Sequence, residues 1–179
     1  MVTYEHGYMK LSPTLTRLLS ECTGEDTGRY AINAIQVRAD GFVATDGRRL
    51  IIIKRKNKSK KTRLCLLTKD GYVLPADDIG EFPNWQDTVL GEKDRLLVAK
   101  GVFIGDNGRS IIAYELAQHQ ICVGQDLLEP VLKQLRCLGA IVQEVWCSKE
   151  NAATRVFMLE GDCDGGSYTY VQMPVYYPV

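Results

Sequence analysis

Two stretches of the chain repeat their apolar residues with a helical period. After Ser12 and Pro13, Leu15, Leu18, Leu19 and Cys22 fall on one face. Ser12 suits the N-cap, and Pro13 the first helical position, where its missing N–H is of no consequence. The second stripe is Leu128, Val131, Leu132 and Leu135. Asp126 and Glu129 before it have capping-box spacing, Pro130 is still within the first turn, and Gly139 stands where a helix would stop. The spacing predicts two short one-sided helices, the second over 126–137.

Almost everything else reads as β-structure. Runs rich in Val, Ile, Tyr and Phe are broken by Asp40-Gly41, Asp70-Gly71, Asn107-Gly108 and Asp164-Gly165-Gly166, pairs that favour tight hairpins. The pattern predicts strands at about 29–39, 42–54, 62–68, 95–105, 109–122, 141–149, 154–161 and 167–174. A helix followed by two or three antiparallel strands therefore occurs twice, in about 7–56 and again in about 117–175. The expected class is α+β: one domain over 1–179, made of two similar halves, each a helix on a small antiparallel sheet, with an inserted middle segment at about 57–116. Within that insert, the Pro-centred segment 81–90 is expected to be a packed loop anchored by Phe82 and Trp85.

Composition narrows the class without changing this outline. The 179 residues are 45% hydrophobic and 25% charged, as in an ordinary globular protein. The longest strongly apolar run, Leu50-Ile51-Ile52-Ile53, is far shorter than the roughly 20 residues of a bilayer span, so no membrane partner is expected. Met1–His6 lacks the layout of an export signal, which points to the cytoplasm and to six reduced cysteines acting as small hydrophobes. Charge is uneven beneath a net of zero: residues 54–63 carry seven cations and no acid, while 64–179 carry nine cations and sixteen acids. Lys54, Arg55, Lys56, Lys58, Lys60, Lys61 and Arg63 suit salt-dependent phosphate contact, and equally suit a solvated loop between strands.

Little in the chain speaks for catalysis. The two histidines are His6 and His119, and no cysteine pair has zinc-knuckle spacing. A Cys–His nucleophile pair such as Cys147 with His119 can be written down, but both lie in expected strands and no motif surrounds them. Glu160, Asp162 and Asp164 resemble the start of a calcium loop, but the closing glutamate is missing. Neither Gly-x-Gly-x-x-Gly nor a Walker-type loop occurs. The expectation is a protein without catalytic residues, metal or cofactor.

Three segments resemble signature stretches of the bacterial DNA polymerase III beta subunit, the sliding clamp. Arg29-Tyr30-Ala31-Ile32-Asn33-Ala34-Ile35 followed by Val43-Ala44-Thr45-Asp46-Gly47-Arg48-Arg49-Leu50 is similar to the clamp's Arg-Tyr-x-x-Asn-Gly and Ala-Thr-Asp-Gly-His-Arg-Leu strands. Phe82-Pro83-Asn84-Trp85 resembles the Phe-Pro-Asp-Tyr linker that leads to the last clamp domain. Tyr170-Val171-Gln172-Met173-Pro174-Val175 resembles the closing Tyr-Val-Val-Met-Pro-Met, from which Gln172 and the tail Tyr176-Tyr177-Pro178-Val179 depart.

The resemblance implies helices lining a channel, sheets facing outward, and a non-enzymatic processivity or tethering factor of DNA replication or repair. It implies as partners DNA, and DNA polymerase or other clamp-binding proteins held by short peptide motifs. A partner-peptide pocket would take one wall from Thr45, Gly47, Arg48 and Leu50. A second wall would come from Pro83 and Val89, and a third from Val171, Met173, Pro174 and Val175. DNA would meet the helix cations Arg17, Lys133 and Arg136, with the basic run at 54–63 as a further contact. A clamp ring has six domains, so a chain of this length would encircle DNA only as a homo-oligomer. The alternative is a monomeric clamp-derived interaction module that does not encircle DNA. Glu21, Asp126 and Glu129 beside the three helix cations motivate that alternative.

Overall fold

The computed structural model describes residues 2–5, 8–25, 30–56, 61–76, 79–102, 108–149 and 156–173, with backbone alone at 108–110. The first part of the chain forms β1 (Val2–Glu5), β2 (Tyr8–Leu11), α1 (Pro13–Glu21), β3 (Ile35–Arg38), β4 (Gly41–Thr45) and β5 (Arg49–Lys54). Then follow β6 (Arg63–Leu67), β7 (Tyr72–Pro75), a 3-10 turn at Gln86–Thr88, β8 (Arg95–Val102) and α2 (Gly108–Gln118). The last elements are α3 (Gln125–Cys137), β9 (Ile141–Ser148), β10 (Phe157–Cys163) and β11 (Gly166–Gln172). None of the described helices is long and apolar enough to cross a membrane.

The two amphipathic helices form as α1 and α3. Ser12 Oγ accepts from the Leu15 amide at 3.4 Å and caps α1. α3 departs from expectation at its start. Its N-cap is Gly124, so Asp126 lies inside the first turn, favourable to the positive helix end, and Asp126 and Glu129 do not occupy capping-box positions. The expected strand at 109–122 is instead α2. Ile111 and Tyr114 are exposed while Ile112 and Leu116 are buried, so apolar residues on both sides of this helix mask its period. Asn107-Gly108 is accordingly no hairpin turn: Gly108 opens α2, and Asn107 lies outside the described residues.

The strands join in one open antiparallel sheet in the order β1-β2-β7-β6-β3-β4-β5-β11-β10-β9-β8. At its centre β5 pairs with β11, from Lys54 opposite Ser167 to Arg49 opposite Gln172. To one side lie β4 and β3, preceded by α1, and to the other β10 and β9, preceded by α3, an approximate two-fold arrangement. The two small sheets expected from sequence are therefore one sheet, with β6, β7 and β8 of the middle segment extending it at both ends. The expected strand at 42–54 is two strands, folded back at Asp46-Gly47-Arg48.

Both faces of the central strands are covered, which is why β5 is an uninterrupted apolar run rather than an alternating one. Phe42, Ile51, Ile53, Phe157, Tyr168 and Tyr170 point to the helices and pack with Leu15, Leu18 and Leu19 of α1 and Leu128, Val131 and Leu135 of α3. On the outer face Val43, Leu50, Ile52, Met158 and Val171 form a second, smaller cluster, against which Phe82, Trp85, Val89 and Leu90 pack. The expected packed loop at 81–90 is thus the lid of the outer face. Strand β4 begins at Gly41, where a Cβ would run into the Ile53 carbonyl oxygen, so no side chain fits.

Candidate functional site

The turn between β4 and β5 is fixed by one carboxylate. Asp46 Oδ1 accepts from the backbone amides of Arg48 at 2.8 Å and Arg49 at 2.6 Å, and Oδ2 accepts from Arg49 Nε at 2.8 Å. Thr45 Oγ1 donates to the Arg49 carbonyl at 2.7 Å and accepts from the Gly47 amide at 3.1 Å. Gly47, at φ 84°, takes the left-handed position that glycine adopts without strain. Arg49 points to the helix side, where it donates to the Leu127 carbonyl of α3 at 3.2 Å. Burial works to lower its pKa, but the hydrogen bond and charge of Asp46 outweigh that and raise it. Beside it, Gln172 accepts from the Tyr170 hydroxyl at 2.6 Å and donates to the Gly124 carbonyl at 3.3 Å. Gln172, a departure from the clamp ending, is therefore a buried tie between β11 and α3.

The loop reaches this turn by a separate set of bonds. Tyr30 and Glu81 form a parallel bridge, and the Ala31 amide donates to the Glu81 carbonyl at 3.0 Å. Asn84 Nδ2 donates to Asp87 at 2.6 Å across the 3-10 turn. Trp85 Nε1 donates to Gln36 at 3.2 Å, with the Arg38 guanidinium 5.4 Å from the ring centroid. Trp85 is thereby held on the sheet as a fixed ridge. The Met173 amide donates to the Arg48 carbonyl at 2.9 Å, bringing the end of β11 to the turn.

These three segments enclose a cleft of about 160 Å³ on the outer face. Seven of the ten residues proposed for a peptide pocket line it: Thr45, Gly47, Arg48, Leu50, Pro83, Val171 and Met173. Val89 does not line it and belongs to a neighbouring cleft. Pro174 and Val175 lie outside the described residues. Arg49, Asn84, Trp85 and Thr88 complete the lining. Trp85 and Asn84 had a sequence signal, since they belong to Phe82-Pro83-Asn84-Trp85, whereas Thr88 had none. Met173 remains 38% exposed, a large flexible apolar side chain open to an incoming group.

The cationic candidates fall in two places. Arg17 on α1 and Lys133 and Arg136 on α3 are exposed on helices that pack together. The basic run joins β5 to β6, with Lys54, Lys56, Lys61 and Arg63 exposed, Arg55 half-buried, and Lys58 and Lys60 outside the described residues. Its first residues approach the end of α3 at the β10–β11 turn, where the Asp164 amide donates to the Leu138 carbonyl at 3.0 Å and the Arg55 guanidinium stands beside Gly165. Among the described residues no three His, Cys, Asp or Glu side chains gather as a metal site. Glu160 pairs with Arg95 at 3.0 Å, and Asp162 accepts from Gln143. Cys147 is buried in β9, and His119 follows the end of α2.

Helices on one side of a continuous antiparallel sheet, and a covered outer face with a cleft at its edge, give an α+β architecture of the DNA-clamp type. Solved structures show the same fold. A DNA polymerase sliding clamp from Pseudomonas aeruginosa, crystallised with a ligand, matches at a TM-score of 0.51 and 11% identity, over 98% of this chain and 76% of that one. The DNA polymerase III beta chain from Streptococcus pneumoniae matches at 0.54 and 13% identity, over 95% of this chain and 65% of that one. The chain thus has the fold of the bacterial sliding clamps and spans about two thirds to three quarters of the length of those it matches. No protein-family model and no curated protein matches the sequence.

Proposed function

We propose that this protein is a clamp-like, non-enzymatic tethering factor of DNA replication or repair that holds partner proteins by a short apolar peptide segment. The observation that carries the reading is the cleft: segments from three distant parts of the sequence meet there, on the face opposite the helices, around an exposed methionine. Such a groove suits varied Leu- or Phe-bearing peptides. The open sheet edges β1 and β8 offer a head-to-tail contact between copies, and the helix side, with Arg17, Lys133 and Arg136, would face DNA. Selection from a random heptapeptide phage library tests the pocket. Enrichment of Leu- and Phe-containing sequences, lost on Met173→Asp, is expected. No enrichment, or enrichment unchanged by that substitution, overturns the reading.

A monomeric module is the second reading. It is favoured by the charge on the helices, where Asp126 and Glu129 are exposed beside Lys133 and Arg136. Light scattering decides between them. Six copies of the 20.1 kDa chain give about 120 kDa and a closed ring, whereas a stable species of one chain that still selects peptides is the module.

A further inference from the structure

A second cleft, of about 260 Å³, adjoins the first across Trp85, which lines both. Val43 and Ile52 of the outer face and Val89 of the loop give it an apolar floor, and Arg38, Asp40, Lys54 and Glu160 are its charged lining. With Arg95, which pairs with Glu160 from outside the lining, the cations here outnumber the acids by one. Asp40 accepts from Arg38 at 2.9 Å, and that hydrogen bond, with a smaller contribution from the charge of Lys54, holds its carboxyl below the usual range. Glu160 is paired with Arg95 and accepts from Thr169 at 3.5 Å. Both acids are thus matched to arginines, while exposed Lys54 belongs to neither pair and opens the basic run.

We propose that the partner peptide continues past Trp85 into this second cleft and sets an acidic side chain on Lys54. The inference rests on the peptide-binding reading above and adds the length and charge of the ligand. Strand β5 supplies the ruler. Leu50 lines the first cleft and Ile52 and Lys54 the second, alternate outward residues of one strand. At roughly 3.3 Å per residue they span about 13 Å. An extended peptide also turns alternate side chains to one side, so it meets the three positions with residues n, n+2 and n+4. The ligand is then apolar, apolar, acidic at that spacing. The apolar floor of Val43, Ile52 and Val89 beside Trp85 favours a peptide with apolar side chains over a nucleic-acid backbone, which has none to place there.

The test uses the full chain and a fluorescein-labelled peptide, Gly-Phe-Ser-Leu-Ser-Asp-Gly, made in both sequence directions and followed by anisotropy at low salt. In one direction, replacing the peptide's Leu by Gly is expected to weaken binding at least fivefold, and replacing its Asp by Asn about threefold. Lys54→Glu should abolish the preference for Asp and create one for Lys at that position, a swap that a mere fold defect would not produce. Binding that is lost on Met173→Asp but indifferent to the peptide's Leu and Asp keeps the first pocket and overturns this extension. No binding by either direction overturns both. If Lys54→Glu weakens a (dT)8 oligonucleotide and leaves the peptide unchanged, Lys54 serves nucleic acid and the extension fails.

Discussion

Replacing Asp46 by alanine removes the acceptor of three hydrogen bonds and leaves the Arg49 guanidinium with the Leu127 carbonyl. Both side chains of the pair are 12% exposed, so water restores little of what is lost. Breaking a buried pair on one side costs about 3–5 kcal/mol. Residual exposure and the remaining bond to α3 place this case near the lower end, about 3 kcal/mol. A chain of this size loses about 2–4 °C in Tm per kcal/mol, so Asp46→Ala should melt about 6–12 °C below the parent. Calorimetry and urea unfolding measure it. Arg49→Met should cost less, because Asp46 keeps its two backbone donors. The double variant should be more stable than Asp46→Ala alone, since no guanidinium is then stranded. A melt within about 2 °C of the parent, or strictly additive losses, would refute the reasoning. The same variant should lose peptide binding, because the turn that presents Gly47 and Arg48 depends on that carboxylate.

Thiol labelling at neutral pH should sort the cysteines by burial. Exposed Cys122 and Cys137 react fast, half-buried Cys163 slowly, and Cys22, Cys65 and Cys147 only on unfolding; early labelling of Cys22 would contradict the packing of α1. Burial also raises the phenols of Tyr168 and Tyr170 and the Cys22 thiol. The folded chain holds these protons to higher pH than the unfolded chain does. Their contribution to stability is therefore complete below about pH 8 for Cys22 and about pH 9 for the two tyrosines, and is lost as pH rises further, by up to about 1.4 kcal/mol per pH unit for each group. Urea unfolding between pH 8 and 11 should show the decline, lessened in Tyr168→Phe; a flat profile would contradict it.

Parts of the structure that follow from local pattern were legible in the sequence. Leu15, Leu18 and Leu19, and Leu128, Val131 and Leu135, mark α1 and α3 because only one side of each helix is buried. α2 was hidden because it presents Ile111 and Tyr114 to solvent as well as Ile112 and Leu116 to the core. Strands β1, β2 and β7, four residues each, are too short for alternation to stand out. The turn at Asp46 was lost within an apolar stretch that reads as one strand because both sides of the sheet are covered. The cleft itself has no local signature: Pro83 meets Leu50 and Met173 only through tertiary packing, so its members could be named from family resemblance and not from periodicity. Val89, named with them, lines the neighbouring cleft, on the other side of Trp85.

The pairing of β5 with β11 has a consequence for synthesis. Its partners are 113 to 123 positions apart in sequence, from Lys54 with Ser167 to Arg49 with Gln172. At about 5–20 residues per second, a ribosome delivers the second strand roughly 6–25 s after the first. Throughout that interval Leu50, Ile51, Ile52 and Ile53 lie along an unpaired strand edge, an apolar β-rich stretch of the kind that templates aggregation. The middle of the sheet is thus the last part of it to be completed, and nascent-chain chaperones would find their binding site there.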